Sequence, residues 1–150
     1  MLPSVAAEMK GEVIVRPIKL LLAGLLLSSL LGTGESFGAT VPNTTRTDSG
    51  GGVTVKVTPL DSTAKGDLRF QIAFDTHSVD LDRYDLKSLT VLRDGAANIY
   101  HPTTVESKGS GHHRQATVTF AKLKNSAKRI ELVIKGVAGV QERVFRWDIE

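Results

Sequence analysis

Alternation of apolar and polar residues is the feature of this chain that most constrains its fold. Residues 53–58 show it clearly, since Val53, Val55 and Val57 each precede a polar side chain. Successive side chains of a β-strand point to opposite faces, so such a run predicts a strand with one buried and one solvated face. The other runs with this period of two are residues 68–74, 88–93, 116–120, 130–135 and 145–149.

Short turn sequences separate these runs, for example Asp94-Gly95 and the Gly-rich residues 108–111. A further short strand is expected near residues 98–106, where Pro102 favours an edge position. No stretch after residue 52 keeps a helical period over three turns. About seven short strands at this spacing predict an all-β fold, an antiparallel immunoglobulin-like β-sandwich, with a barrel as the alternative.

The aromatic residues fall mostly on the apolar phase of these strands. They are Phe70, Phe74, Phe120, Phe145 and Trp147, and we expect them in the core rather than on a ligand platform. Tyr84 and Tyr100 lie off that phase and are the candidates for an exposed carbohydrate platform.

The N-terminal segment has the order of a secretory signal. Lys10, Arg16 and Lys19 precede an apolar run over residues 20–31, and small residues follow up to Ala39. We predict a signal peptide over residues 1–39, with cleavage after Gly38 or Ala39 and a secreted or periplasmic product. A retained anchor is the alternative, but the apolar run is shorter than the roughly 20 residues that span a bilayer. No stable membrane insertion is expected after cleavage.

Residues 40–52 are polar, rich in glycine and without periodicity, which predicts a flexible linker. The predicted β-sandwich domain then occupies residues 53–150.

Composition excludes several kinds of site. The chain has no Cys, and its two Met residues, Met1 and Met9, lie in the predicted signal peptide. Disulfides, thiolate metal sites and blue-copper centres are therefore excluded from the mature domain.

The charged residues are interspersed, and the formal net charge is +3, so nucleic acid is not an expected partner. On the last two strands, Arg143 and Arg146 are expected to pair with Glu131 and Lys135 across the outer face.

The four histidines, His77, His101, His112 and His113, all fall between positions 77 and 113, and none lies inside a run of clear alternation. His77 follows one strand and the His112-His113 pair precedes another, so antiparallel pairing can bring them to one pole. Neutral imidazole with a carboxylate suits copper or zinc. We predict His77, His112, His113 and Asp75 as ligands of a divalent metal, with Asp80 and Asp82 as neighbouring carboxylates. The alternative is that these histidines are structural and fix the loops by hydrogen bonds.

Residues 80–85 do not match a calcium-binding loop. They lack the Gly and the closing Glu of such a loop, so we predict a solvated turn there.

Residues 74–81 and the Gly-Ser-Gly-His-His segment at 109–113 resemble paired segments of small exported prokaryotic β-sandwich domains. The ending at residues 139–147 is similar to theirs as well. The resemblance implies that the two histidine segments occur together, which fits a position at the same end of the sandwich. It does not indicate an activity.

The sequence therefore predicts an exported, non-enzymatic binding domain without a catalytic or cofactor site. The preferred hypothesis is that it binds a copper or zinc ion. The alternative is a protein or cell-surface interaction module. A hydrolase or a carbohydrate binder is a third, more distant reading, since no Gly-x-Ser-x-Gly stretch is present.

Overall fold

The computed structural model describes residues 40–60, 66–124 and 127–150, which form two antiparallel sheets around one core. The predicted signal peptide lies outside these residues. The strands are β1 (Arg46–Gly50), β2 (Val53–Leu60), β3 (Leu68–Thr76), β4 (Thr90–Asp94), β5 (Ile99–Tyr100), β6 (Pro102–Ser110), β7 (His113–Phe120), β8 (Arg129–Lys135) and β9 (Glu142–Asp148). A short helix, α1 (Leu86–Leu89), precedes β4, and a 3-10 turn (Val137–Gly139) follows β8.

The strand order is that of an immunoglobulin-like sandwich. One sheet has the order β1-β2-β3-β7-β6 and the other β5-β4-β8-β9. Strands β2-β3-β7-β6 follow the A-B-E-D order of such sandwiches, and β4-β8-β9 follow C-F-G. The predicted fold class is therefore confirmed, with nine strands in the described ranges rather than about seven. The added strands are β1 and β5, each at the edge of its sheet.

Inward-facing residues of both sheets form the apolar core. All five aromatic residues predicted to face inward are buried, which confirms that prediction. The Phe70 ring lies edge-on to Phe120, with centroids 6.0 Å apart, and 5.5 Å from the ring of Trp147. Trp147 comes from β9, so this contact joins the two sheets. The indole Nε1 of Trp147 donates a hydrogen bond to the Thr44 carbonyl (2.8 Å), which satisfies its buried polar atom.

The prediction of a flexible linker over residues 40–52 is wrong, because this segment belongs to the sandwich. Strand β1 pairs with β2 in a hairpin, and Gly50 lies opposite Val53. The two connecting residues, Gly51 (φ 58°) and Gly52 (φ 75°), have the positive φ angles of a type I′ turn, which Gly-Gly favours. A Cβ at Gly51 would collide with the carbonyl oxygen of Ala138, so the hairpin packs tightly on the 3-10 turn. The glycines at positions 51 and 52 thus form a tight turn and do not belong to a flexible linker.

A buried cation joins the hairpin to the second sheet. The Arg143 side chain is fully buried between the sheets, where it pairs with Asp48 of β1 and donates to the Gly50 carbonyl (2.6 Å). The prediction that Arg143 pairs across the outer face is wrong, because Arg143 shares the inward phase of Phe145. The outer-face pair of Arg146 with Glu131 (2.7 Å) is present as predicted.

Removing Asp48 will destabilise the domain more than removing Arg143. Asp48→Ala leaves a guanidinium buried without its carboxylate, which costs about 3 kcal/mol or more. Arg143→Met removes the charge and leaves Asp48, whose side chain is 42% exposed, to water. Urea unfolding of both variants will measure the two losses. A larger loss for Arg143→Met than for Asp48→Ala would contradict this account.

A buried carboxylate organises the turn between β4 and β5. Asp94 accepts hydrogen bonds from the backbone N–H groups of Ala96 and Asn98 (both 2.9 Å), from the Asn98 amide (2.8 Å) and from the Tyr100 hydroxyl (3.0 Å). Burial by itself would raise the pKa of Asp94, but these hydrogen bonds outweigh it and hold the pKa below its usual value. The ionised form is therefore the one that the fold stabilises.

Stability that depends on Asp94 will be lost in acid. Because the pKa of Asp94 is lower in the folded than in the unfolded chain, its contribution is present above the unfolded pKa and disappears as the pH falls through the folded pKa. Urea unfolding of the wild type and Asp94→Asn should show a gap in the free energy of unfolding that is wide at pH 7 and narrower near pH 3. An equal gap at both pH values would refute this role.

Candidate functional site

The predicted metal ligands lie at one end of the five-stranded sheet. Asp75 is the penultimate residue of β3, and it faces His113, the first residue of β7, in the strand register. His112 lies in the turn between β6 and β7, where its carbonyl accepts a hydrogen bond from the Thr76 backbone (3.1 Å). His77 is exposed just after β3. The antiparallel pairing of β3 with β7 therefore brings these segments to one end of the sheet.

The two neighbouring histidines make different hydrogen bonds. His113 Nδ1 donates to Asp75 Oδ2 (3.1 Å) on the outer face, where their side chains are 69% and 58% exposed. His112 Nδ1 donates to the Val79 carbonyl (3.1 Å) in the loop after β3. Each ring is thereby fixed to a different partner. In the described part of the chain, no three His, Asp or Glu side chains are grouped so that they could hold a metal ion. The structure pairs His113 with Asp75 and leaves His77 and His112 outside that pair.

The loop of residues 77–85 is held against the β6–β7 turn by further polar contacts. Asp82 accepts a hydrogen bond from the Gly111 backbone (3.0 Å). The Arg114 guanidinium donates to the carbonyls of Leu81 (2.9 Å) and Tyr84 (2.7 Å). Asp85 caps α1 by accepting from the Lys87 backbone (3.1 Å). These contacts, with that of His112, show a loop fixed by hydrogen bonds to the sheet. The acidic residues thus form turns and caps.

The outer face of the five-stranded sheet carries aligned polar side chains. Register places one residue from each strand in a single row across the sheet: Thr47, Lys56, Ala73, Gln115 and Lys108. Ala73 is the smallest of the five, and a hollow of about 340 Å³ lies around it. We call this the outer hollow. The side chains that line it include those of Thr54, Lys56, Ala73, Asp75, Lys108, His113 and Gln115.

A second hollow, of about 260 Å³, adjoins the first and shares Lys108 and Gln115 with it. Its other outward-facing residues are Arg69, Gln71, Glu106 and Thr117. Within the described ranges, no ion pair engages Lys56, Arg69 or Lys108. Sequence reasoning missed this face, because the alternation marks its residues as solvated but does not reveal which of them share a row.

The opposite outer face, formed by β4, β8 and β9, has its charges paired. Arg93 bonds Glu142 (2.8 Å), Arg129 bonds Asp148 (2.9 Å), and Arg146 bonds Glu131 (2.7 Å). Opposite charges that face each other across strands stabilise a sheet and neutralise one another. The contrast singles out the five-stranded sheet as the face with cationic side chains free for a ligand.

The two tyrosines expected as an exposed carbohydrate platform have structural roles instead. Tyr100 is buried, and its hydroxyl donates to Asp94 and accepts from the Lys124 backbone (3.2 Å). Tyr84 is partly buried, and its hydroxyl accepts from the Ala138 backbone (3.0 Å). Neither candidate is therefore an exposed platform, since each ring packs against the core.

Comparison of the chain with models of protein families, with curated proteins and with solved structures gives no match. None of the helices in the described residues has the length and apolar character needed to cross a membrane.

Zinc or copper titration will separate structural histidines from metal ligands. Because no three potential ligand side chains are grouped in the described part of the chain, we expect no saturable binding at micromolar affinity in calorimetry with either ion. His112→Ala should instead destabilise the domain by about 1 kcal/mol, the usual contribution of one such hydrogen bond. Saturable binding that a His77→Ala/His112→Ala double variant loses would contradict this expectation and restore the metal site.

Proposed function

We propose that this chain is an exported, non-enzymatic binding module whose partner docks on the outer face of the five-stranded sheet. In this proposal His112 holds the loop of residues 77–85, His113 pairs with Asp75, and neither histidine binds a metal. The observation that carries the proposal is the row through Ala73, in which Lys56 and Lys108 flank a hollow without ion-pair partners among the described residues.

Two features of the outer hollow favour recognition over catalysis. The hollow is open to solvent on a sheet face, whereas catalytic sites depend on excluding water from the reacting groups. Its one carboxylate–imidazole pair, Asp75 with His113, is more than half exposed on both sides. Such a surface binds by many weak contacts with a partner of complementary charge.

The fold supports this use, because the face stands on a rigid base. The inward residues of β2, β3 and β7 are buried in the core, so the outward residues of the same strands are held in fixed rows. A pre-organised surface loses little conformational entropy on binding, which favours affinity.

Site-specific photo-crosslinking tests the proposed face. A benzophenone amino acid is placed at Thr117, which lines the adjoining hollow. It should form an adduct when the protein is mixed with cell-envelope or secreted material of its own host. The same residue placed at Lys122, which is exposed outside the strands, is the control and should form none. Lys56→Gln/Lys108→Gln should weaken the Thr117 adduct. Equal adducts at both positions, or none at Thr117, would refute the docking face.

A further inference from the structure

We infer that the ligand of the outer hollow is an acidic oligosaccharide that carries carboxylate groups. The inference rests on the proposed function and adds the ligand's chemical class. It depends on three properties of the face: the spacing of its cations, the presence of carboxylates between them, and its free amide and hydroxyl groups.

The cations are spread along the face. Lys56 of β2 and Lys108 of β6 belong to one row and are separated by three inter-strand steps, about 14 Å. Arg69 lies in the adjoining hollow, on β3. Separated single cations of this kind fit a chain that has one negative charge at intervals. A compact anion such as phosphate would meet only one of them at a time.

The carboxylates on the same face limit the negative charge that a ligand can carry. Asp75 lines the outer hollow, and Glu106 lines the adjoining one. A densely charged polymer such as nucleic acid or a heavily sulfated glycan would place anionic groups beside both of them, and like charges in proximity are unfavourable. A ligand with fewer charges, separated by neutral groups, avoids this repulsion.

The neutral side chains between the charges match sugar hydroxyl groups. Gln71, Gln115 and Thr117 line the adjoining hollow, and within the described residues their side chains make no hydrogen bond. An amide has both donors and an acceptor, and a hydroxyl group can do both as well. Sugar hydroxyl groups also donate and accept, so each can pair with such a group.

The described part of this face presents no aromatic ring. The Trp and Tyr residues that often anchor protein partners, and the aromatic rings on which single-stranded nucleic acids stack, are therefore missing from it. The tyrosines that could serve are held in the domain. Charge and hydrogen bonding are therefore the means of recognition that this face offers, and an acidic sugar chain uses both.

The experiment measures binding of the full chain to hyaluronan oligosaccharides, which carry one carboxylate on every second sugar, at low salt and by calorimetry. We expect saturable binding that Lys56→Gln/Lys108→Gln weakens about tenfold, since two exposed charge contacts are lost. The control, Lys122→Gln/Lys128→Gln, removes the same charge from exposed positions outside this face and should bind like the wild type. Ala73→Gln fills the hollow without changing the charge and should also weaken binding. Unchanged melting temperatures will show that each variant is folded.

Dextran, heparin and polyglutamate are measured in parallel to test the ligand class. Weaker binding of all three than of the hyaluronan oligosaccharides supports the inference. If the chain binds polyglutamate more tightly, and Lys56→Gln/Lys108→Gln weakens that binding about tenfold as well, the inferred ligand class is overturned. The proposed docking face is then still supported. Equal losses in both double variants, wild-type binding by Ala73→Gln, or no binding of the hyaluronan oligosaccharides also overturn the inference. The photo-crosslink from Thr117 decides separately whether the face docks a partner.

Discussion

Burial of one face of each strand between the two sheets is the constraint on which the rest of this structure depends. In β3, Phe70, Ile72 and Phe74 enter the core, and this fixes Gln71 and Ala73 on the opposite side. A shift of the strand by one residue would exchange the two sets, at a cost of roughly 2 kcal/mol for each large apolar side chain exposed. The same energy that holds the core therefore holds the outer rows in register. The core determines the strand register, and this register places the small side chain of Ala73 between larger ones on the outer face. The outer hollow follows from that difference in size.

The ends of the sheet are held by polar contacts rather than by apolar burial. At one end Arg114 binds two carbonyls of the loop of residues 77–85, and His112 binds a third. On the edge formed by β1, Arg143 binds Asp48 and the Gly50 carbonyl. Arginine suits both places because its planar group offers several donors in fixed directions. A histidine used in this way contributes one donor and a rigid ring to the contact between loop and sheet.

Much of the sandwich could be predicted from the alternation, since five of the six runs became strands with the expected inward face. The run at residues 88–93 is the exception, because it predicts Leu89 and Val91 on one strand face, whereas Leu89 lies in α1 and Leu92 joins the core cluster. Three other features show where such reasoning ends. Residues 46–50 have no apolar alternation, and the hairpin depends on the Gly51-Gly52 turn, which composition alone marks as a linker. Arg143 lies two residues before Phe145 on the same strand, so the alternation indicates an inward position for both. Its positive charge, however, favours a position on the surface. The partners of His112 and His113 depend on ring direction, which sequence spacing does not contain.

A binding surface on a sheet face also requires that the sheet does not pair with another copy through its edge. β6 is the edge strand beside the hollows, and it has nine residues, long enough to pair with a second chain. Its register with β7 is broken between Pro102 and Thr104, and Gly109 has φ 78°. Such irregularities, together with charged side chains, hinder edge-to-edge pairing. Lys108 then serves twice, because the same outward ammonium group that discourages strand addition contributes one of the two lysines beside the hollow. The edge and the face are thus connected, because the irregular and charged β6 hinders strand addition beside the proposed docking face.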